Sequence, residues 1–164
     1  MIQDLNILTD TGIPESWLKR LDQNLVQTFS FSEIVISKSI KLPNSCWIRS
    51  RNQFNASCLL SYARSLSPGK TVLLITSRDT YVPGLNFVFG VASRGQGAVV
   101  SIYRLGNDPS FLQKEIIHEL GHVFGLDHCK IPCVMTFSNS VWEAQQKNSE
   151  FCDKCTKILK RNIK

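Results

Sequence analysis

Histidine occurs at only three positions, His118, His122 and His128, and all three fall within one run of eleven residues. Imidazole is a common metal ligand, and such clustering points to one shared ion rather than to scattered core or surface roles. On a helix, residues four apart project from one face about a turn apart. His118 and His122 can therefore both reach an ion at Zn–N distances of about 2.0–2.1 Å. Glu119 is offset beside them, where it can contact a water on the ion without being a ligand. No further helical position points at that spot, so a third ligand must come from beyond the helix. Gly125 supplies the means, because glycine accepts the left-handed conformation that ends a helix and turns the chain back. His128 follows three residues later. Three buried histidines satisfied by internal hydrogen bonds are the alternative, but that reading leaves Glu119 and Gly125 unexplained.

Three protein ligands leave zinc a fourth position for water, whose pKa falls to about 7. Zinc would also polarise a substrate carbonyl and hold the developing oxyanion. Glu119 would take the proton from the attacking water and pass it to the leaving amine. This is peptide-bond hydrolysis without a covalent intermediate. Zinc is favoured over iron because the spacing does not offer two histidines and a carboxylate. A reading from a different class is a non-catalytic zinc protein that binds a peptide or protein partner. Glu119, which folding does not require, favours the enzyme.

Four cysteines follow: Cys129 directly after His128, then Cys133, Cys152 and Cys155. Two close pairs separated by 18 residues have the layout of a structural four-thiolate zinc site. A thioredoxin-like redox pair is the other reading of "CDKC", but it leaves Cys129 and Cys133 without a role. Cys46 and Cys58 stand apart and are expected to be small buried apolar residues, a redox role being the alternative.

His118-Glu119-x-x-His122-x-x-Gly125-x-x-His128 is the metzincin signature. With Cys129, Cys133, the Cys-x-Met that places Met135, and the terminal Cys152-x-x-Cys155, the chain closely resembles the archaemetzincins. "LNFVFGVAS" and "AVVSIYRL" upstream are also similar to that family. The resemblance implies an intracellular metallopeptidase with two zinc ions, one catalytic and one structural. It implies that His118, His122 and His128 bind the first, with Glu119 as general base. By the same resemblance Cys129, Cys133, Cys152 and Cys155 bind the second, and Met135 forms the floor of the site. Some metzincins carry a tyrosine two residues after that methionine. Phe137 stands there in this chain and has no hydroxyl to donate.

Positioning these groups requires a helix over about 109–124. Asp108 can cap its start, Pro109 suits its first position, and Phe111, Leu112, Ile116, Leu120, Val123 and Phe124 give it a broad apolar face. Upstream, 14–29 has helical spacing, 34–42 alternates as a strand, and "FNASCLLSYARSL" reads as a helix stopped by "SPGK". "TVLLITS" suits a buried strand, and "LNFVFGVAS" and "GAVVSIYRL" suit a hairpin closed by "RGQG". The resemblance to metzincins also implies an edge strand above the histidine helix that pairs with extended substrate, expected here over 86–92. The pattern predicts an α/β (α+β) fold, a mixed sheet with packed helices, and the resemblance implies that it is of zincin, metzincin-like type. One domain is expected over 1–164, with 1–125 ending in the active-site helix and 126–164 forming a small zinc-stapled part.

Bulk properties agree with a soluble globular chain: 164 residues, 43% hydrophobic and 20% charged. The start "MIQDLNILTD" has no basic region followed by an apolar core, so no signal peptide and a cytoplasmic location are expected. No propeptide is expected either, no apolar run predicts a membrane span, and a monomer is anticipated. The net charge of +6 gathers in the tail, at Lys154, Lys157, Lys160, Arg161 and Lys164. Without aromatic residues to stack on bases, that tail suits a solvated helix end rather than nucleic acid.

Overall fold

Six consecutive buried residues, TVLLIT, form the strand at the middle of the main sheet, β5 (Thr71–Thr76). The computed structural model describes residues 3–164. In it β5 lies between β1 (Asp4–Thr9) and β8 (Gly97–Ser101), in a sheet of order β2-β1-β5-β8-β7, with β2 at Glu33–Ser37 and β7 at Gly90–Ser93. The first four strands in that order run parallel, and β7 closes one edge as the antiparallel partner of β8. Successive residues of a strand face opposite sides, so β5 feeds two cores. Leu73 and Ile75 join Leu5, Ile7 and Val100 on one face, while Val72 and Leu74 join Leu8 and Val99 on the other.

Helix α3 (Ala56–Ser65) covers the second face with Leu59, Leu60 and Ala63. The first face carries α1 (Glu15–Leu18), α2 (Leu21–Phe29) and α4 (Pro109–Val123). Alpha-helix α6 (Asp153–Asn162) adds Cys155 and Leu159 to that same core. Residues 126–164 therefore share the main core, through Val134, Met135 and Leu159, rather than forming one of their own. A short helix α5 (Val141–Gln146) links the two stretches. Among the described residues no helix is long and apolar enough to cross a membrane.

Several elements differ from the sequence expectation. Strand β1, central and paired on both sides, was not anticipated. The single helix expected over 14–29 breaks where Arg20 takes a left-handed conformation (φ 64°), which leaves the apolar spacing intact. The strand expected over 34–42 stops at Ser37, and of 85–93 only Gly90–Ser93 joins the sheet. The hairpin is closed by a turn in which Gly95 has φ 70°, as "RGQG" suggested. A second sheet pairs β3 (Trp47–Ile48), β4 (Gln53–Asn55) and β6 (Thr80–Tyr81). Beside it Cys46 and Cys58 form a disulfide, their Cα atoms 5.4 Å apart. This corrects the expectation of two independent apolar cysteines. The turn at 44–46 packs against the first turn of α3, a tertiary contact that composition does not reveal.

Candidate metal centres

Asp108 caps α4 by accepting a hydrogen bond from the Ser110 N–H, with Pro109 in the first position, as expected. Its other end forms a Schellman motif. The Leu126 N–H reaches Gly121 O at 2.9 Å, the Gly125 N–H reaches His122 O at 3.0 Å, and Gly125 has φ 88°. The carbonyls left over find donors elsewhere. Gly95 N–H serves Val123, Asn162 Nδ2 serves Phe124, and Arg94 Nη2 serves Gly125. The bend thus stays satisfied and delivers His128 beside the helix.

All three imidazoles meet. A ligating nitrogen of each lies within 4.8 Å of the others. His118 Nε2 and His122 Nε2 are 3.2 Å apart. A tetrahedral zinc with bonds of about 2.0–2.1 Å would separate two nitrogens by about 3.3–3.4 Å, close to that value. His118 Nδ1 lies 2.8 Å from Val134 O, and His122 Nδ1 lies 2.7 Å from Leu126 O. A carbonyl only accepts, so each Nδ1 carries the proton and each Nε2 lone pair is left for an ion. A fixed tautomer of this kind is what metal-ligating histidines ordinarily show. Burial lowers the His118 pKa to about 3, with Lys147 adding to the effect and the Val134 bond opposing it. Burial also lowers His122 and His128, so the cluster is neutral and ready to coordinate. The rings of His128 and Phe137 pack at 5.1 Å. Met135 is fully buried, and a Cβ at Gly121 would stand 2.5 Å from its sulfur. The thioether therefore lies directly beneath the helical turn that joins His118 to His122.

Glu119 faces a cavity of about 440 Å³ that it shares with the three histidines and Phe137. Burial raises its pKa to about 8, with Glu115 adding to the shift and Lys147 opposing it. Above it lies Gly90, where a Cβ would come 2.8 Å from Glu119 Cγ and 2.9 Å from Oε1. Strand β7 is indeed an edge. Just before it the Phe89 carbonyl accepts from the Ser101 N–H, so by antiparallel alternation Gly90 and Ala92 turn their N–H and C=O away from β8.

Sequence reasoning missed Gly90, Glu115 and Lys147. Lys147 Nζ lies 2.8 Å from Glu115 Oε1, with side chains 4% and 3% exposed, although the contact is not aligned as a hydrogen bond. The same Nζ is 3.4 Å from His118 Nδ1. Glu115 precedes Glu119 by one turn on a buried helix face. An acid there requires a buried partner, which is the signal that could have prompted a search for one.

The cysteines also converge, with all four sulfurs within 4.8 Å of one another. Zn–S bonds of about 2.3 Å in a tetrahedron separate sulfurs by about 3.8 Å. Cys129 Sγ and Cys152 Sγ are 3.8 Å apart. Backbone N–H groups of Met135 and Cys152 point at Cys133 Sγ, at 3.5 and 3.2 Å, and would stabilise a thiolate. A hydrogen bond from the Cys155 backbone lowers the Cys152 pKa to about 7, while burial raises Cys133 and Cys155. Among the described cysteines these four are free.

The model of peptidase family M54 matches residues 4–161. The chain belongs to this family. Archaemetzincin of Methanopyrus kandleri is 46% identical over 138 residues, 79% of each chain. That of Nanoarchaeum equitans is 38% identical over 146 residues, 89% of this chain and 84% of the relative. The crystal structure of the Methanopyrus kandleri protein superposes with a TM-score of 0.88 at 39% identity, covering 98% of this chain and 95% of that one. The Archaeoglobus fulgidus archaemetzincin gives a TM-score of 0.84 at 34% identity, covering 94% and 99%. The chain is accordingly a zinc metallopeptidase of archaemetzincin type, with peptides as substrates and the zincin-like α/β fold expected from the sequence.

Proposed function

We propose that His118, His122 and His128 hold the catalytic zinc and that Glu119 is the general base of peptide-bond hydrolysis. Carrying this reading is one observation: two Nε2 atoms 3.2 Å apart, on rings whose Nδ1 atoms each face a carbonyl. When bound, zinc supplies a Lewis acid that lowers the pKa of a water to about 7 and polarises the scissile carbonyl. Glu119 accepts the proton of the attacking water and delivers it to the leaving amine. Burial has raised its proton affinity, which suits that exchange. Gly125 turns His128 into place, and Met135 supports the helix from below. Phe137 steadies the His128 ring without offering a hydroxyl.

Extended substrate adds to the edge at Gly90 and Ala92 by backbone hydrogen bonds. Cys129, Cys133, Cys152 and Cys155 hold a second, structural zinc, so that residues 126–164 stay docked on a single 164-residue domain. The working unit is a monomer acting on peptide rather than nucleic acid. A cytoplasmic setting requires the Cys46–Cys58 disulfide to persist against cellular thiols. A mixed peptide library incubated with the zinc-loaded protein tests the reading. Cleavage that a chelator abolishes and zinc restores is expected. Zinc-independent cleavage, or binding without cleavage, would contradict it and favour the non-catalytic alternative.

A further inference from the structure

Residues 82–89 line the histidine cavity just before β7, and side chains from other elements supply four of the hydrogen bonds that hold them. Arg51 Nη2 donates to the carbonyls of Leu85 and Asn86, at 3.0 and 3.1 Å. Buried Gln53 Nε2 donates both to Asn86 O at 2.9 Å and to Asp79 Oδ2 at 3.0 Å. Thr80 brackets Val88, its carbonyl taking the Val88 N–H at 2.9 Å and its hydroxyl donating to Val88 O at 3.0 Å. Arg104 completes the frame. It donates to both oxygens of Asp79, at 2.9 and 2.7 Å, and its guanidinium lies 4.2 Å over the Phe87 ring. Phe87 in turn meets Phe89 edge-on at 5.3 Å. Gln53, Asp79 and Thr80 are buried and hydrogen-bonded, and Arg51 and Arg104 tie that buried centre to the wall from the solvent side.

The surface so braced is apolar where it meets the cavity, through Leu85, Phe87 and Phe89, with Phe137 across from them. Leu85 and Phe137 are each 51% exposed, an unusual rim for a site that holds ligating groups. The one ion pair in the cavity, Lys147 with Glu115, is internally compensated. Ser138 Oγ, buried there without a hydrogen-bond partner, is neutral. A charged side chain entering this space would lose hydration and meet no free opposite charge beyond the groups proposed for catalysis.

We propose that residues 82–89 form a rigid specificity wall selecting an uncharged, apolar substrate side chain next to the cleaved bond, and that Arg104 is the positioning residue that holds it. The inference rests on the peptidase reading of the same site. Lysine at position 104 keeps the charge but loses the two-pronged grip and the flat stacking surface.

The test uses peptides identical except for Leu, Phe, Asp or Lys beside the scissile bond. Zinc-loaded protein should cleave the Leu and Phe peptides with kcat/KM at least about tenfold above the others, in the range one pocket contact supplies. Arg104→Lys should shrink that ratio about tenfold with zinc content unchanged, and Phe87→Ala should do the same. Affinity of the four peptides for zinc-loaded Glu119→Ala protein should follow the same order. Cleavage with an equal or charged-residue preference overturns the wall and leaves the peptidase reading standing. So does an Arg104→Lys variant that slows all four peptides alike. No cleavage, together with selective binding of the apolar peptides, overturns the peptidase reading and supports the wall.

Discussion

Replacing Gly90 by alanine should damage turnover without touching a ligand. Glycine at this position leaves the space into which the Glu119 carboxylate folds. A Cβ there would lie 2.8 Å from Glu119 Cγ, 2.9 Å from Oε1 and 2.6 Å from Val99 O, where ordinary contact begins at 3.4 Å. Glu119 must therefore retreat by roughly half an ångström or more, or the edge strand must tilt away from β8. Misplacing a reacting group by about 1 Å can cost about a hundredfold in rate. A loss of about tenfold to a hundredfold in kcat is expected, equivalent to about 1.4–2.7 kcal/mol. Overpacking costs about 1–3 kcal/mol of stability, partly offset by the lower entropy of the unfolded alanine chain. The three atoms nearest a Gly90 Cβ belong to Val99 and Glu119 rather than to His118, His122 or His128, so zinc content should be retained. Steady-state kinetics on a cleaved peptide, with zinc content and a thermal midpoint on the same sample, make the assay. Turnover within about twofold of the parent, in a folded and zinc-loaded variant, would refute the argument that this glycine seats the base.

Cys155→Ser should remove the proposed second zinc and weaken the histidine site as well. The Val134 carbonyl that orients His118 stands between Cys133 and Met135. Zinc analysis with hydrogen exchange would show it, and full zinc with protected amides beyond residue 126 would count against the second site. Lys147→Met leaves Glu115, 2% exposed, without its cation, and should destabilise by about 3–5 kcal/mol. Adding Glu115→Gln should recover most of that loss in urea denaturation; no recovery would mean the ion pair is not the cause. The untreated protein should expose four free thiols in denaturant with chelator, because Cys46 and Cys58 are bonded. Replacing both by alanine should cost about 3 kcal/mol for a loop of this length, and six free thiols in the parent would contradict the disulfide.

The histidine helix was legible because local signals agree along it: a cap at Asp108, proline behind it, apolar residues at helical spacing, and Gly125 at the end. The meeting of the three imidazoles was legible as well, since His118 and His122 are one helical turn apart and Gly125 turns the chain back to bring in His128. What escaped the sequence is tertiary. Strand β1 is short and pairs in parallel with β2 and β5, partners far along the chain whose register no local pattern encodes. The apolar spacing of Trp17, Leu18, Leu21 and Leu25 is the same with or without the break at Arg20. Residues 85–88 have strand composition, but the hydrogen bonds they make to other elements go to Arg51, Gln53 and Thr80 rather than continuing the β7–β8 ladder. Glu115 and Lys147 are 32 positions apart, and only the packing of the segment after α5 against α4 brings them together.

Three histidines are proposed to hold the ion while Glu119 moves the proton, and one measurement separates those roles. Zinc content and peptide turnover should be determined on the same preparations of the parent protein and of Glu119→Ala. Equal zinc at the histidines with turnover lost is the expected result. Hydrolysis that survives in a folded, zinc-loaded Glu119→Ala protein would contradict the mechanism.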